Sequence, residues 1–215
     1  MTEVRKKSEF VQFLLDLDVL KFGDFTLKSG RQSPYFFNLG EVASGAGYHV
    51  LGAAYAEAII AQGLECDVLF GPAYKGIPIA VATAVALAER SVEVGVAYNR
   101  KEAKSHGEGG MLVGAPVKGR VLLIDDVLTS GKAIREAINL IEQTDAKVVG
   151  AVIALDRQEL IDSGVTAVTG LAEELAAPVI SIANLVDVIA YLQDSGEHQE
   201  TLSKVIEYQA AYCRL

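Results

Sequence analysis

The chain has 215 residues, 51% of them hydrophobic and 22% charged, with a formal net charge of −9. That composition supports a buried core and excludes the polar, highly charged signature of a disordered chain. The acidity argues against general affinity for nucleic acid or anionic membrane surfaces, which require a basic face, so an anionic ligand has to be met by a local cluster of cations.

The length suits one α/β domain spanning 1–215, since single cores commonly grow to this size before splitting. Cys66 and Cys213 lie far apart, with no CxxC pair and no companion His spacing. Neither a zinc site nor a disulfide framework is suggested, and a reducing cytoplasm is the simplest compartment. Met1 to Lys7 is polar and leads into amphipathic spacing, so no signal peptide is expected. The long uncharged stretch Gly76 to Ala88 falls short of the ~20 residues that a membrane span needs and predicts a buried helix.

In chain order, Phe10, Leu14 and Leu17 share a helical face and predict a helix over 3–18. Phe25 to Leu27 and Tyr35 to Leu39 flank the turn-rich Ser29-Gly30-Arg31-Gln32-Ser33-Pro34 and predict a hairpin. An Ala-rich helix then runs from Gly45–Gly47 to about Ala61 and ends at Gly63. Beyond it, short apolar runs at Asp67–Phe70, Val94–Tyr98, Val121–Ile124, Val148–Leu155 and Val179–Ile182 alternate with helical segments near 76–89, 131–143 and 167–176. Strands buried on both faces by crossover helices predict an α/β fold with a doubly wound, mostly parallel sheet. The first helix and hairpin form a small N-terminal hood over about 1–45, joined by C-terminal helices near 184–193 and 198–212, around a core at about 46–183. Arg100 to Pro116, glycine-rich and charged with almost no periodicity, predicts a long mobile loop.

The segment Val121 to Gly131 combines a buried strand, the acids Asp125 and Asp126, a small polar turn and a helix start. Open parallel sheets bind ligands at the carboxyl ends of their strands, where this pattern puts both acids. The free N–H groups of a helix N-terminus bind phosphate, and Gly131 permits close approach of the backbone. Adjacent acids beside such a cradle suit ribose hydroxyls, a metal ion or a developing cation; the plainer alternative is that Asp126 and Thr129 merely cap the helix. A Walker B strand also ends in acids, but its partner GxxxxGK[ST] loop is missing, because Gly131-Lys132 is followed by Ala133. Gly45-Ala46-Gly47 likewise lacks the preceding buried strand and third glycine of a dinucleotide fingerprint.

Arg100, Lys101, Lys104 and His106 place four cations within seven residues of an otherwise acidic chain. Such a run is either a solvated face or, hinged by glycines, a loop that closes over a polyphosphate and excludes water. Gly71-Pro72-Ala73-Tyr74-Lys75-Gly76 follows a strand and precedes a helix, as an ordinary turn or as a second loop at the ligand edge. Lys28, Phe36 and Phe37 belong to the hairpin, where aromatics commonly serve the core, and Arg157 follows the strand Val148–Leu155, where a lone arginine is usually a surface residue.

These motifs, with Phe22 to Phe37 and Arg100 to Gly107, resemble those of the type I phosphoribosyltransferases, and of the branch acting on orotate in particular. The four motifs occur in the right order over nearly the whole length. The resemblance implies transfer of the phosphoribosyl group of 5-phosphoribosyl 1-diphosphate to orotate, giving orotidine 5′-phosphate and diphosphate in de novo pyrimidine biosynthesis. It implies catalytic roles for Lys104, His106, Asp125 and Asp126, with Lys104 and His106 closing on diphosphate. Further contacts to that substrate fall to Lys28, Tyr74, Lys75, Arg100, Lys101 and the run Val127, Leu128, Thr129, Ser130, Gly131, Lys132 and Ala133. Phe36, Phe37, Thr129 and Arg157 would meet orotate. The resemblance also implies Mg2+ held mainly through the substrate, with no direct protein ligand assigned, and a homodimer in which the 100–116 loop reaches the neighbouring site. One departure stands out: the turn's fourth position, usually threonine, is Lys132, so a hydroxyl donor to the 5′-phosphate is lost. A lysine there can make a charge-assisted contact or point outward. A transferase for another base would keep the acid pair but replace the hood and Arg157. A non-catalytic sensor of phosphoribosyl diphosphate would not need the cationic loop.

Overall fold

The computed structural model describes residues 3–27, 29–104, 110–129, 131–196 and 199–214; for 3–6, 103 and 104 it describes the backbone alone. Helix α1 (Glu3–Asp16) buries Phe10, Val11 and Leu14, and the hairpin of β1 (Leu20–Thr26) and β2 (Gln32–Phe37) follows. These strands pair antiparallel with an irregularity between Phe22 and Phe25. Helix α2 (Gly45–Ala61) starts at Ser44, whose side chain accepts from the N–H of Gly47 and satisfies one of the helix's free donors.

The main sheet holds β3 (Val68–Gly71), β4 (Gly95–Lys104), β5 (Gly110–Gly114), β6 (Gly119–Val127), β7 (Ala146–Asp156) and β8 (Val179–Asn184), in the order β5-β4-β3-β6-β7-β8. All neighbours run parallel except β4 and β5. The connecting helices are α3 (Gly76–Ala88), α4 (Lys132–Ile141) and α5 (Ala167–Leu175), and α6 (Leu185–Ser195) and α7 (Gln199–Tyr212) close the chain.

Alternation along the strands divides the core into two layers, because successive side chains point to opposite faces. Leu69, Leu122, Ile124, Val152 and Ala154 pack with α1, α2, α3, α6, α7 and the hairpin. Val68, Phe70, Val121, Leu123, Ala151 and Ile153 pack with α4 and α5 on the other face. Each fully buried Leu or Ile contributes about 1.5–3 kcal/mol relative to leaving it in water, which explains why the central strands carry no polar face.

The doubly wound, mostly parallel sheet and the helix-and-hairpin hood agree with the sequence expectation. Two boundaries move. β1 begins at Leu20, five residues before the predicted run, and Arg100–Pro116 is not one long loop: β4 continues to Lys104 and pairs with β5. β4 pairs with β3 only through Tyr98, so beyond that point the two strands form a ribbon clear of the sheet. Among the described residues no helix is long and apolar enough to cross a membrane.

Candidate active site

Asp125 and Asp126 end β6 and are almost entirely buried, with 8% and 7% exposure. Four contacts fix them. The hydroxyl of Tyr55, from α2, donates to the Asp125 carbonyl at 2.7 Å. The N–H of Asp126 donates to Asp125 Oδ1 at 2.9 Å, and that of Val127 to Asp126 Oδ1 at 2.8 Å. Lys75 Nζ lies 2.7 Å from Asp126 Oδ2, joining the acid pair to the loop after β3. Burial first, and the charge of Asp126 second, push the Asp125 carboxyl up to about 7, partly opposed by Lys75. Near neutral pH this site is therefore poised to gain a full negative charge when a cation appears beside it.

The loop 71–76 folds hard against the end of β6. A Cβ on Gly76 would sit 2.7 Å from the carbonyl oxygen of Ile124, and one on Gly71 would run into the backbone of Gly76. The two glycines thus let the loop lie directly on the strand that carries the acids. Its Ala73–Tyr74 peptide is cis. The N–H of Ala73 donates to Asn99 Oδ1 at 3.1 Å, which ties the loop to β4, and Lys101 Nζ lies 4.7 Å above the exposed Tyr74 ring. Lys75 thus reaches Asp126, and Lys101 meets Tyr74, the residue next to Lys75 in the loop. Arg100 is turned back along the ribbon, donating to the Gly110 carbonyl at 3.1 Å.

After β6 the chain enters α4 through Gly131, whose φ of 66° lies in the left-handed region that favours glycine. Thr129, Lys132 and Ala133 are exposed at this turn. Lys132 projects from the first helical turn, 81% exposed, with Nζ 3.8 Å from Glu136 Oε1. Val127 is half-buried, and Leu128 packs in the core with α4 and α5, so Leu128 can offer a ligand only its backbone.

At the end of β7, Arg157 is not a surface residue but 6% exposed. Its Nε donates to Glu159 Oε1 at 2.6 Å, its Nη2 to Ser33 Oγ at 3.1 Å, and its guanidinium lies 4.1 Å over the Tyr35 ring. Phe36 and Phe37 point to opposite faces of β2, as neighbours in a strand must. Phe36 is 39% exposed, whereas Phe37 is 7% exposed and packs in the core. Lys28, Ser130 and His106 lie outside the described residues; Lys104 ends β4, and its side chain is likewise outside them.

Residues that sequence reasoning missed are Tyr55, Asn99, Ser33, Glu159 and Tyr208. All but Glu159, which lies two residues from Arg157, act through a contact distant in sequence, and the alternation Ser33/Tyr35/Phe37 offered a local clue that these three share the inner face. Two surface clefts of about 400 and 430 Å3 lie elsewhere, one between the hairpin and α7 and one beside Cys66. Neither touches the acid pair, and the convergence of charged groups marks the ligand edge better than concavity does.

Residues 46–163 match the model of the phosphoribosyl transferase domain. The chain is 51% identical to the orotate phosphoribosyltransferases of Klebsiella pneumoniae (strain 342) and Vibrio cholerae serotype O1, covering 95% of this chain and 96% of each relative. It belongs to the orotate phosphoribosyltransferase family. Among solved structures, the orotate phosphoribosyltransferase of Francisella tularensis superposes with a TM-score of 0.86 at 38% identity, over 96% of this chain and all of that one. The UMP synthase of Leishmania donovani gives 0.75 at 26% identity, over 95% of this chain and 42% of that longer one. The matched domain begins in α2 and ends just past β7, so it contains the acid pair, the Lys75 loop, the ribbon and Arg157. The hairpin and α7, which enclose Arg157 in this chain, lie outside it.

Proposed function

We propose that the chain transfers the phosphoribosyl group of 5-phosphoribosyl 1-diphosphate to orotate, releasing diphosphate and forming orotidine 5′-phosphate, a step of pyrimidine biosynthesis. The observation that carries this reading is the buried Asp125–Asp126 pair, tied to Lys75, at the carboxyl end of β6. In this reaction the bond from the anomeric carbon to diphosphate breaks ahead of bond formation. Positive charge grows on the ribose and negative charge on the leaving group. Asp125 and Asp126 accept from the ribose hydroxyls and favour the cationic sugar, and the turn at Thr129–Ala133 offers backbone N–H groups to the 5′-phosphate. Tyr74, Lys75 and Lys101 hold the diphosphate, and Lys104 and His106 complete its enclosure. Orotate's ring nitrogen attacks the anomeric carbon, so no protein nucleophile is needed. Phe36 and Arg157 orient the base, a planar guanidinium suiting a carboxylate or amide edge.

Mg2+ fits this donor set. Among the described residues no group of three or more His, Cys, Asp or Glu converges, and Mg2+ commonly rests on substrate phosphates with one or two carboxylates. Asp125 and Asp126 would hold it through the bound substrate, where it supplies neutralisation of the diphosphate charge. The assembly is a homodimer, with the β4–β5 ribbon serving the neighbouring site. A cytoplasmic setting accords with the two cysteines, Cys66 and Cys213, being free thiols rather than a disulfide.

Incubation with Mg2+, 5-phosphoribosyl 1-diphosphate and, separately, orotate, uracil, adenine or hypoxanthine tests the proposal. Diphosphate release with orotate is expected. Release with a purine or uracil but not with orotate would reassign the substrate, and release with none would remove the activity.

A further inference from the structure

We infer that the C-terminal helix α7 is part of the base-recognition machinery, with Tyr208 and Glu159 acting as positioning residues that fix the guanidinium of Arg157. This inference rests on the proposal that Arg157 meets orotate. A guanidinium is planar and offers donors along more than one edge, so its usefulness to a flat ligand depends on which edge is already taken. In this chain Nε and Nη2 of Arg157 both lie 2.6 Å from Glu159 Oε1, and Nη2 also reaches Ser33 Oγ at 3.1 Å and Tyr208 Oη at 3.4 Å. Among the described residues Nη1 has no partner, so one end of the fork is left for a ligand.

Glu159 is itself held from three sides. Beyond Arg157, the Tyr208 hydroxyl donates to its Oε1 at 2.5 Å, and Arg31 of the hairpin donates to its Oε2 at 3.2 Å. The Tyr35 ring lies under the guanidinium, with the Tyr208 ring edge-on to it at 5.8 Å. One turn further on, the last residue of α7 is fastened to the same place: Arg31 stacks 4.7 Å over Tyr212, and the N–H of Leu160 donates to the Tyr212 carbonyl at 2.9 Å.

Two features exceed what neutralising a buried arginine requires. Glu159 alone balances Arg157, yet it is shared with Arg31, so the cluster Arg31–Glu159–Arg157 keeps one positive charge, which matches a single carboxylate on the ligand. The Tyr208 hydroxyl adds no charge. It fixes the direction of the Glu159 carboxylate and hence the plane of the guanidinium. Positioning of this kind raises affinity by removing the cost of ordering a long side chain when the ligand arrives.

The test is steady-state kinetics on Tyr208→Phe, Glu159→Gln and Arg157→Lys, each with thermal melting. Tyr208→Phe keeps the ring and removes one hydroxyl; the KM for orotate is expected to rise about fivefold while kcat and the KM for 5-phosphoribosyl 1-diphosphate stay within twofold. Glu159→Gln is expected to raise the orotate KM at least tenfold with the same split. If it does not fold, the tyrosine variant decides. Should Arg157→Lys raise the orotate KM while both other variants remain within twofold of the parent, the positioning role is wrong and the Arg157 assignment survives. Should Arg157→Lys leave the orotate KM unchanged, the Arg157 assignment itself fails. A uniform loss in kcat and both KM values would mean that α7 serves folding alone, and would overturn the inference.

Discussion

Replacing Gly76 by alanine tests how far the chemistry depends on the loop lying flat on β6. The added Cβ would stand 2.7 Å from the Ile124 carbonyl oxygen, 2.7 Å from Pro72 Cδ and 2.9 Å from the Gly71 carbonyl carbon. Ordinary contact begins near 3.4 Å, so the loop must retreat by about 0.7 Å, and none of the three atoms is the free end of a flexible side chain. Ile124 directly precedes Asp125, and Lys75 directly precedes Gly76, so the shift falls on the Lys75–Asp126 contact. Overpacking of this size costs about 1–3 kcal/mol of stability. A misplacement of about 1 Å near reacting groups costs up to ~100-fold in rate. The expected result is a drop of roughly 10- to 100-fold in kcat/KM for 5-phosphoribosyl 1-diphosphate, with a denaturation midpoint lowered accordingly. Gly45→Ala is the control: nothing lies within 4 Å of its Cβ position, and alanine there is expected to be neutral or to stabilise by about 0.5–1 kcal/mol. Parental kinetics and stability in Gly76→Ala would refute the claim that close backbone approach sets the site.

Asp125→Asn should reverse a pH-dependent instability. Because the folded carboxyl titrates near 7 and an unfolded one near 3.8, the stability carried by protonated Asp125 is present below about pH 4 and is lost as pH rises to about 7. The variant should therefore melt progressively higher than the parent across that window, by up to about 4 kcal/mol, while activity falls at least ~100-fold; a difference that does not change with pH would contradict the assignment. Tyr55→Phe removes the hydrogen bond to the Asp125 carbonyl and should cost about 1–2 kcal/mol in urea denaturation, with no cost if the carbonyl finds another donor. Lys104→Ala should depress turnover far more than orotate KM, and equal effects on both would remove the leaving-group role proposed for it.

The layout of the sheet was legible because its strands are buried on both faces: the runs at Val121–Ile124 and Val148–Leu155 have no polar alternation to confuse them with surface elements. The ligand edge was legible for the same reason, since two acids end an apolar run where nothing but a site or a cap keeps them. The β4–β5 ribbon was not. Past Tyr98 it parts from β3, and Arg100 to Lys104 carry no apolar periodicity that could announce a strand. Arg157 looked like a surface residue because its partners, Ser33, Tyr35, Glu159 and Tyr208, come from a hairpin, a loop and a helix that only the folded chain brings together.

The ribbon has a mechanical consequence. From Asn99 to Lys104, β4 pairs with β5 and no longer with β3, and it is irregular there: Lys104 faces Gly110, only two residues along β5 from the Leu112 that faces Asn99. The ribbon is anchored where Asn99 Oδ1 meets the N–H of Ala73. A change in the loop after β3 is thus passed through one hydrogen bond to the base of the ribbon that carries Arg100 and Lys101, so grip on the substrate and the set of the ribbon are not independent.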